Sequence, residues 1–286
     1  MAMMKIAGIM RSGAFSPNHI GNDAIIFNMV ADQLRKRGCE VAVYTEEQFA
    51  TAEDIDEPVI LSMCREPRNI VRTQRLEDSG RIVINSGYGI ENCTRARMTR
   101  IFEVASIPFP TTLVVDTDEV VRERIENAGM GACWVKRADI HTRHKEDVTY
   151  ARHPQEAQEV LQEFFLRGIK KAIISRHAEG NLVKFYGVSD SGFFSWLNPY
   201  DAGMQPGSEG SAMLPDFDAE ALRTLCTRAA ELLDVRVYGG DCVVGPNGEL
   251  TIVNFNDWPS FAPCRRQAAS AIARTVFNIV KNGTAR

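Results

Sequence analysis

The residues best suited to chemistry in this sequence lie in three short segments of its second half. The strongest is Tyr238-Gly239-Gly240-Asp241, followed across a predicted hairpin by Asn254-Phe255-Asn256-Asp257. Hairpin strands bring Asp241 near Asn254 and Asn256, which are two apart and so share a face. Oxygen donors gathered this way suit Mg²⁺, which holds a nucleotide through one or two carboxylates plus phosphates and water. The competing reading is a polar hairpin whose Asn and Asp residues cap turns.

In the second segment, Trp134-Val135-Lys136-Arg137, the lysine lies in an apolar strand with no local acidic partner. Burying that charge is costly, and a phosphate would explain it. A lysine reaching solvent from a strand end is the alternative. The following loop carries His141, Arg143, His144 and Lys145, a cationic group fit to cover an anion, beside Glu146 and Asp147, which would neutralise it. The third segment runs from Ile173 through Ser175, Arg176 and His177 to Lys184. An apolar strand that ends and turns offers backbone N–H and C=O groups of the kind an adenine ring needs. Lys184 and Tyr186 share one side of the next strand. No nucleophile motif of the GxSxG or HExxH type is present.

The elements that must position these residues form an α/β pattern. Lys5–Ile9, Val41–Tyr44, Val59–Met63 and Arg81–Asn85 read as buried strands. A helix over Asp23–Arg37 carries Ile26, Phe27, Val30 and Leu34 on one face. Such units imply a parallel sheet covered by helices, closing near Asn85. The loop Arg11–Asn22 follows the first strand, where doubly wound folds bind ligands. Its glycines do not fit GxGxxG, and Arg11 and His19 stand as residues that could face a substrate or simply solvent.

A turn at Ser86–Gly89 precedes one helix over Ile90–Ala105, then a strand over Thr112–Val115, a helix over Thr117–Asn127 and a strand over Ala132–Arg137. After a helix starting at Pro154 come strands Lys171–Ser175, Leu182–Val188 and Phe193–Leu197. A helix over Ala219–Leu233, the hairpin Val237–Val244 with Leu250–Phe255, and a helix over Arg265–Val280 complete the chain. Two modules of this kind form a cleft, where small ligands bind.

Composition is that of an ordinary globular protein, with 44% hydrophobic and 24% charged residues. A net charge of −4 gives no reason to expect nucleic acid or an anionic membrane as partner. No apolar run spans a bilayer, and no signal peptide is evident. Seven cysteines without CxxC spacing argue for a reducing compartment, the cytoplasm, and against a zinc site.

Together these segments resemble the ATP-grasp superfamily, and the resemblance covers the whole chain. It implies an α/β chain with an N-terminal parallel domain (residues 1–85) followed by a two-subdomain ATP-grasp domain (86–286). The central subdomain would cover about 111–178 and the C-terminal one about 179–286. The run Asn92-Cys93-Thr94-Arg95-Ala96-Arg97, then Ile107-Pro108-Phe109-Pro110-Thr111, is similar to the family's helix leading into its central domain. There a basic residue contacts phosphate, and Arg95 matches it with Arg97 as close competitor. Lys136 resembles the lysine on the α/β-phosphates. Ser175, Arg176 and His177 resemble the hinge against adenine, and Lys184 a basic residue facing the phosphates. Asp241, Asn254 and Asn256 resemble the paired metal elements.

Three departures stand out: Asn254 replaces an acidic residue, the loop after Lys136 is not glycine-rich, and Arg95 replaces a lysine. Loss of one carboxylate would lower metal affinity roughly ten- to a hundredfold, if a charged partner is worth ~1.5–3 kcal/mol. The resemblance implies a Mg-ATP-dependent ligase that activates a carboxylate as acyl phosphate for attack by an amine or thiol. Arg265 or Arg266 would orient the acyl phosphate or a substrate carboxylate. A small-molecule kinase and a degenerate nucleotide-binding protein are the alternatives, and a homodimer is a further expectation. Segments Arg11–Asn22 and Asn198–Met213 would face the acceptor.

Overall fold

The computed structural model describes residues 3–16, 20–138, 145–199 and 215–282. Its first sheet is wholly parallel, in the order β2-β1-β3-β4, from Met4–Met10 (β1), Cys39–Thr45 (β2), Val59–Ser62 (β3) and Ile82–Ile84 (β4). The strands are apolar on both sides because helices cover both faces. One face carries α1 (Ile20–Arg35), whose Ile26, Phe27, Val30, Ala31 and Leu34 are buried. The other carries α2 (Glu46–Thr51), α3 (Pro67–Asp78) and α4 (Gly87–Asn92) around Phe49, Ile60 and Ile70. The C-terminal helix returns to the first face, as described below.

The predicted helix over Ile90–Ala105 is two helices. Ser86 does not sit in a separate turn but caps α4, its hydroxyl accepting from the N–H groups of Tyr88 and Gly89. The chain breaks at Cys93-Thr94 and restarts as α5 (Arg95–Val104). This break aims α5, with Arg95 as its first residue, away from the parallel sheet.

The second sheet is antiparallel, in the order β5-β8-β6-β7, from Thr112–Asp116 (β5), Cys133–Arg137 (β6), Val148–Ala151 (β7) and Lys171–Arg176 (β8). Strand β7 follows the expected polar loop, in a stretch for which the sequence predicts no element. The expected helix over Thr117–Asn127 is confined to α6 (Arg122–Asn127). With α7 (Pro154–Leu166) it covers one face, burying Cys133, Val135, Ala151, Ala172 and Ile174. Alternation then places Trp134, Lys136, Tyr150, Ile173 and Ser175 together on the opposite face.

The third sheet, also antiparallel, has the order β10-β9-β11-β12, from Asn181–Val188 (β9), Phe193–Leu197 (β10), Val237–Val244 (β11) and Leu250–Asp257 (β12). Helices α5 and α8 (Ala219–Leu233) cover one face through Met98, Phe102, Leu222, Cys226 and Leu233. The last helix, α9 (Arg265–Asn282), instead buries Ala268, Ile272 and Val276 in the core of the first sheet. The chain end is thereby packed against its beginning.

A second seam joins these two parts. The Asn85 side chain, just past β4, accepts from the N–H groups of Arg236 (2.9 Å) and Val237 (2.8 Å) and donates to the Val237 carbonyl (2.7 Å). It acts as a piece of strand edge for β11. No helix among the described residues is long and apolar enough to cross a membrane. All seven cysteines are buried and free, and burial pushes the Cys93, Cys226 and Cys242 thiols well up, away from the nucleophilic thiolate.

Candidate functional site

The open faces of the second and third sheets meet across a cleft. On the third sheet, register sets Lys184 of β9 opposite Asp241 of β11, and Asp241 opposite Asn254 of β12. Lys184 Nζ lies 2.9 Å from Asp241 Oδ1, and Asn254 Nδ2 donates to Asp241 Oδ2 at 3.1 Å. Asn256 is two residues along on the same face. The two glycines before Asp241 are there for room. A Cβ on Gly240 would lie 2.2 Å from the Asn254 carbonyl oxygen, and one on Gly239 2.8 Å from that of Phe185. Only glycine lets the middle strand run this close to both neighbours.

The ladder between β11 and β12 slips immediately after Asp241: Asp241 pairs with Asn254, but Cys242 pairs with Ile252. Val253 is the extra residue of this bulge, and its carbonyl is turned out of the ladder. Lys136 Nζ crosses from the second sheet and donates to that carbonyl at 3.3 Å. Burial, reinforced by the nearby Arg95 guanidinium and opposed by Asp241, pulls the Lys136 ammonium down to about 8. Arg95 donates to the Arg137 carbonyl at 2.9 Å. Burial pulls it down to about 10, with the buried Asp147 carboxylate opposing. Asp147 also pairs with Arg167 at 2.6 Å.

The far end of the same face is aromatic. Trp134 Nε1 donates to His177 Nδ1 at 3.1 Å, and Tyr150 lies 5.1 Å from the Trp134 ring and 5.4 Å from His177. One cleft therefore offers a polarizable wall, two half-buried cations, a flexible cation and a carboxylate flanked by amides. That combination suits a planar base carrying a polyphosphate.

Solved structures with a similar fold include D-alanyl-alanine synthetase A from Vibrio cholerae, with a TM-score of 0.71 at 11% identity over 99% of this chain and 100% of that one. A RimK domain ATP-grasp protein from Sphaerobacter thermophilus gives 0.69 at 16% identity over 96% and 99%. A D-alanine–D-alanine ligase from Bacillus anthracis, solved with ATP, gives 0.69 at 13% identity over 99% and 100%. The chain has the ATP-grasp fold. No family model and no curated protein matches its sequence.

The ATP-grasp expectation can be followed residue by residue. Lys136, Arg95, Lys184, Asp241 and Asn254 are brought together, and Asn256 is on their face. Arg97, the competitor of Arg95, turns outward to Glu91 at 2.7 Å. Ser175 is buried opposite Trp134, its hydroxyl accepting from Thr112 at 2.9 Å. The hinge is less open than expected. The N–H groups of Arg176 and His177 already donate to the carbonyls of Thr111 and Ala132. The Arg176 side chain leaves the cleft for the carbonyls of Ala128 (2.9 Å) and Gly129 (3.2 Å), because alternation turns it to the helix-covered face.

Arg265 and Arg266 part company. Arg265 donates to Asn22 Oδ1 at 2.8 Å, near the start of α1. Arg266 is exposed on a surface groove with Ser191, Ser270 and Arg274, which Arg95, Lys136 and Lys184 do not line. Arg11, a residue that could face substrate or solvent, is locked inside: it pairs with Asp23 at 2.8 Å and donates to the Trp258 carbonyl at 3.0 Å. His19 and the cluster His141, Arg143 and His144 lie outside the described residues, as does most of Asn198–Met213.

Two participants lay unnoticed in the sequence. Trp134 was legible in principle, since counting back two from Lys136 along a strand lands on the same face. The Val253 carbonyl had no side-chain signal, because a bulge exposes it.

Proposed function

We propose that this chain is an ATP-dependent ligase joining a carboxylate to an amine or thiol through an acyl phosphate. The observation that carries the reading is Lys136 reaching across the cleft to the strand residue beside Asn254, within the field of Asp241. Phosphoryl transfer asks for positioning and charge neutralisation more than for covalent help. Lys136, Arg95 and Lys184 would hold the phosphates, Trp134 and His177 would flank the base, and Arg265 would meet a carboxylate at the first-sheet side. One carboxylate and two amide oxygens fit a single Mg²⁺ whose remaining ligands are phosphates and water. When bound, that ion would neutralise charge on the β- and γ-phosphates. On this reading the protein works in the cytoplasm on small molecules, as a dimer in which each protomer holds a complete cleft.

The test is ADP release measured across paired carboxylates and amines or thiols. A ligase needs both partners for turnover, whereas a kinase turns over on one. Asn254 in place of a carboxylate favours a second reading, a nucleotide-binding protein without catalysis. It predicts ATP binding with no turnover on any pair.

The lysine also sets a pH dependence. Lys136 in the free protein has lost its proton above about pH 8, while the unfolded chain keeps it to about 10.5. The unfolded state thus binds more protons in that window, so this group makes stability rise with pH there. ATP binding runs the other way, because phosphate needs the ammonium. Affinity is expected to fall with pH above about 8, approaching tenfold per unit, with a proton taken up on binding. Calorimetry in buffers of different ionisation enthalpy reads both effects. A Lys136→Met variant with the same profile would remove Lys136 as their source.

A further inference from the structure

The row Lys184–Asp241–Asn254 engages both oxygens of the Asp241 carboxylate. Building on the reading of this cleft as an ATP site, we propose that Lys184 is an internal counter-ion that holds Asp241 until a triphosphate arrives, so that a divalent cation enters only together with nucleotide. Three observations carry it.

The pairing is built into the sheet. Lys184 and Asp241 are directly opposed in the β9–β11 ladder, and their 2.9 Å contact needs no rearrangement of either strand. Next, nothing nearby would hold a divalent ion while the lysine stays. Among the described residues no group of three or more His, Cys, Asp or Glu side chains could hold a metal. An ammonium and a divalent ion on one carboxylate repel each other at close range. Finally, the lysine is free to leave. Its side chain is 41% exposed, against 20% for Asp241, and its stem is long and flexible.

A triphosphate lying along Lys136 would offer Lys184 a denser negative charge only a few residues from where it now rests. Moving to it frees Asp241 Oδ1 for the ion that the nucleotide brings. Phosphate contact and metal entry are thereby made one event, and a free divalent ion in the cell leaves the empty cleft alone.

The experiment uses Mn²⁺, a paramagnetic stand-in for Mg²⁺, titrated into nucleotide-free protein and followed by electron paramagnetic resonance. Wild type is expected to bind Mn²⁺ more weakly than millimolar, and Lys184→Met at least about tenfold tighter than that bound. Adding Asp241→Asn to that variant should abolish the gain, which places the ion at Asp241; circular dichroism confirms that each variant folds. Equal Mn²⁺ binding by wild type and Lys184→Met, or a gain that survives Asp241→Asn, overturns the inference. Calorimetry of wild type with ATP in EDTA is the separate arm. Binding there supports the triphosphate trigger. No binding in EDTA, with binding restored by Mg²⁺, overturns the trigger and leaves the functional reading standing; no binding with or without Mg²⁺ overturns the functional reading itself.

Discussion

Replacing Asp257 with alanine is expected to cost about 3–5 kcal/mol of folding stability, the usual loss when one member of a buried ion pair is removed. Asp257 is the last residue of β12 and wholly inaccessible to solvent, and its carboxylate lies 2.8 Å from Arg65, itself 5% exposed at the side chain. Arg65 also donates to the Asp257 carbonyl at 3.0 Å. Burial pulls the Arg65 guanidinium down and Asp257 opposes it, so the pair is mutually dependent. Without the carboxylate, a buried cation stays beside Arg11 and loses its 2.8 Å ion-pair partner. Urea denaturation of Asp257→Ala, Arg65→Ala and the double variant measures this. The double variant should lose less than the sum of the singles. Strict additivity, or a loss below about 1 kcal/mol in the single variants, would show that the pair is not coupled.

Lys136→Ala should behave in the opposite way. The loss of a charged hydrogen-bond partner is worth about 1.5–3 kcal/mol, so ATP affinity should drop roughly ten- to a hundredfold. The fold should not suffer, because the protein spends stability on keeping that ammonium from water, as its fall to about 8 indicates. Calorimetry for ATP and thermal denaturation for the fold separate the two effects. Undiminished ATP affinity in a folded Lys136→Ala variant would exclude the lysine as a phosphate ligand.

The contrast between these two residues also shows what was legible in the sequence. Elements with explicit end signals are readable to the residue: α7 starts at Pro154 and α8 behind the Asp218 cap, whose carboxylate accepts from Glu220 and Ala221. The break at Cys93-Thr94 is not readable, because apolar spacing runs across it and Thr94 makes no side-chain cap bond. Four-residue β7 is too short to display a period. Within the site, Lys136, Lys184, Asp241 and Asn254 could be grouped from strand alternation and a hairpin, since register follows from both. Arg11 and Arg65 could not. They reach β12 carbonyls 246 and 192 residues away, and a carbonyl leaves no mark in a side-chain pattern.

Asn85 has a mechanical meaning. Its three bonds to β11, with α9 packed into the first core, sew the parallel sheet to the third sheet. The first and third sheets are thereby stitched into one block that carries Asp241 and Arg265. The second sheet, entered after Pro110 and left after His177, carries Lys136, whose contact with the Val253 carbonyl bridges to that block. On the proposed reading, any parting of the second sheet from the block would draw Lys136 away from Asp241 and leave Asp241 and Arg265 together.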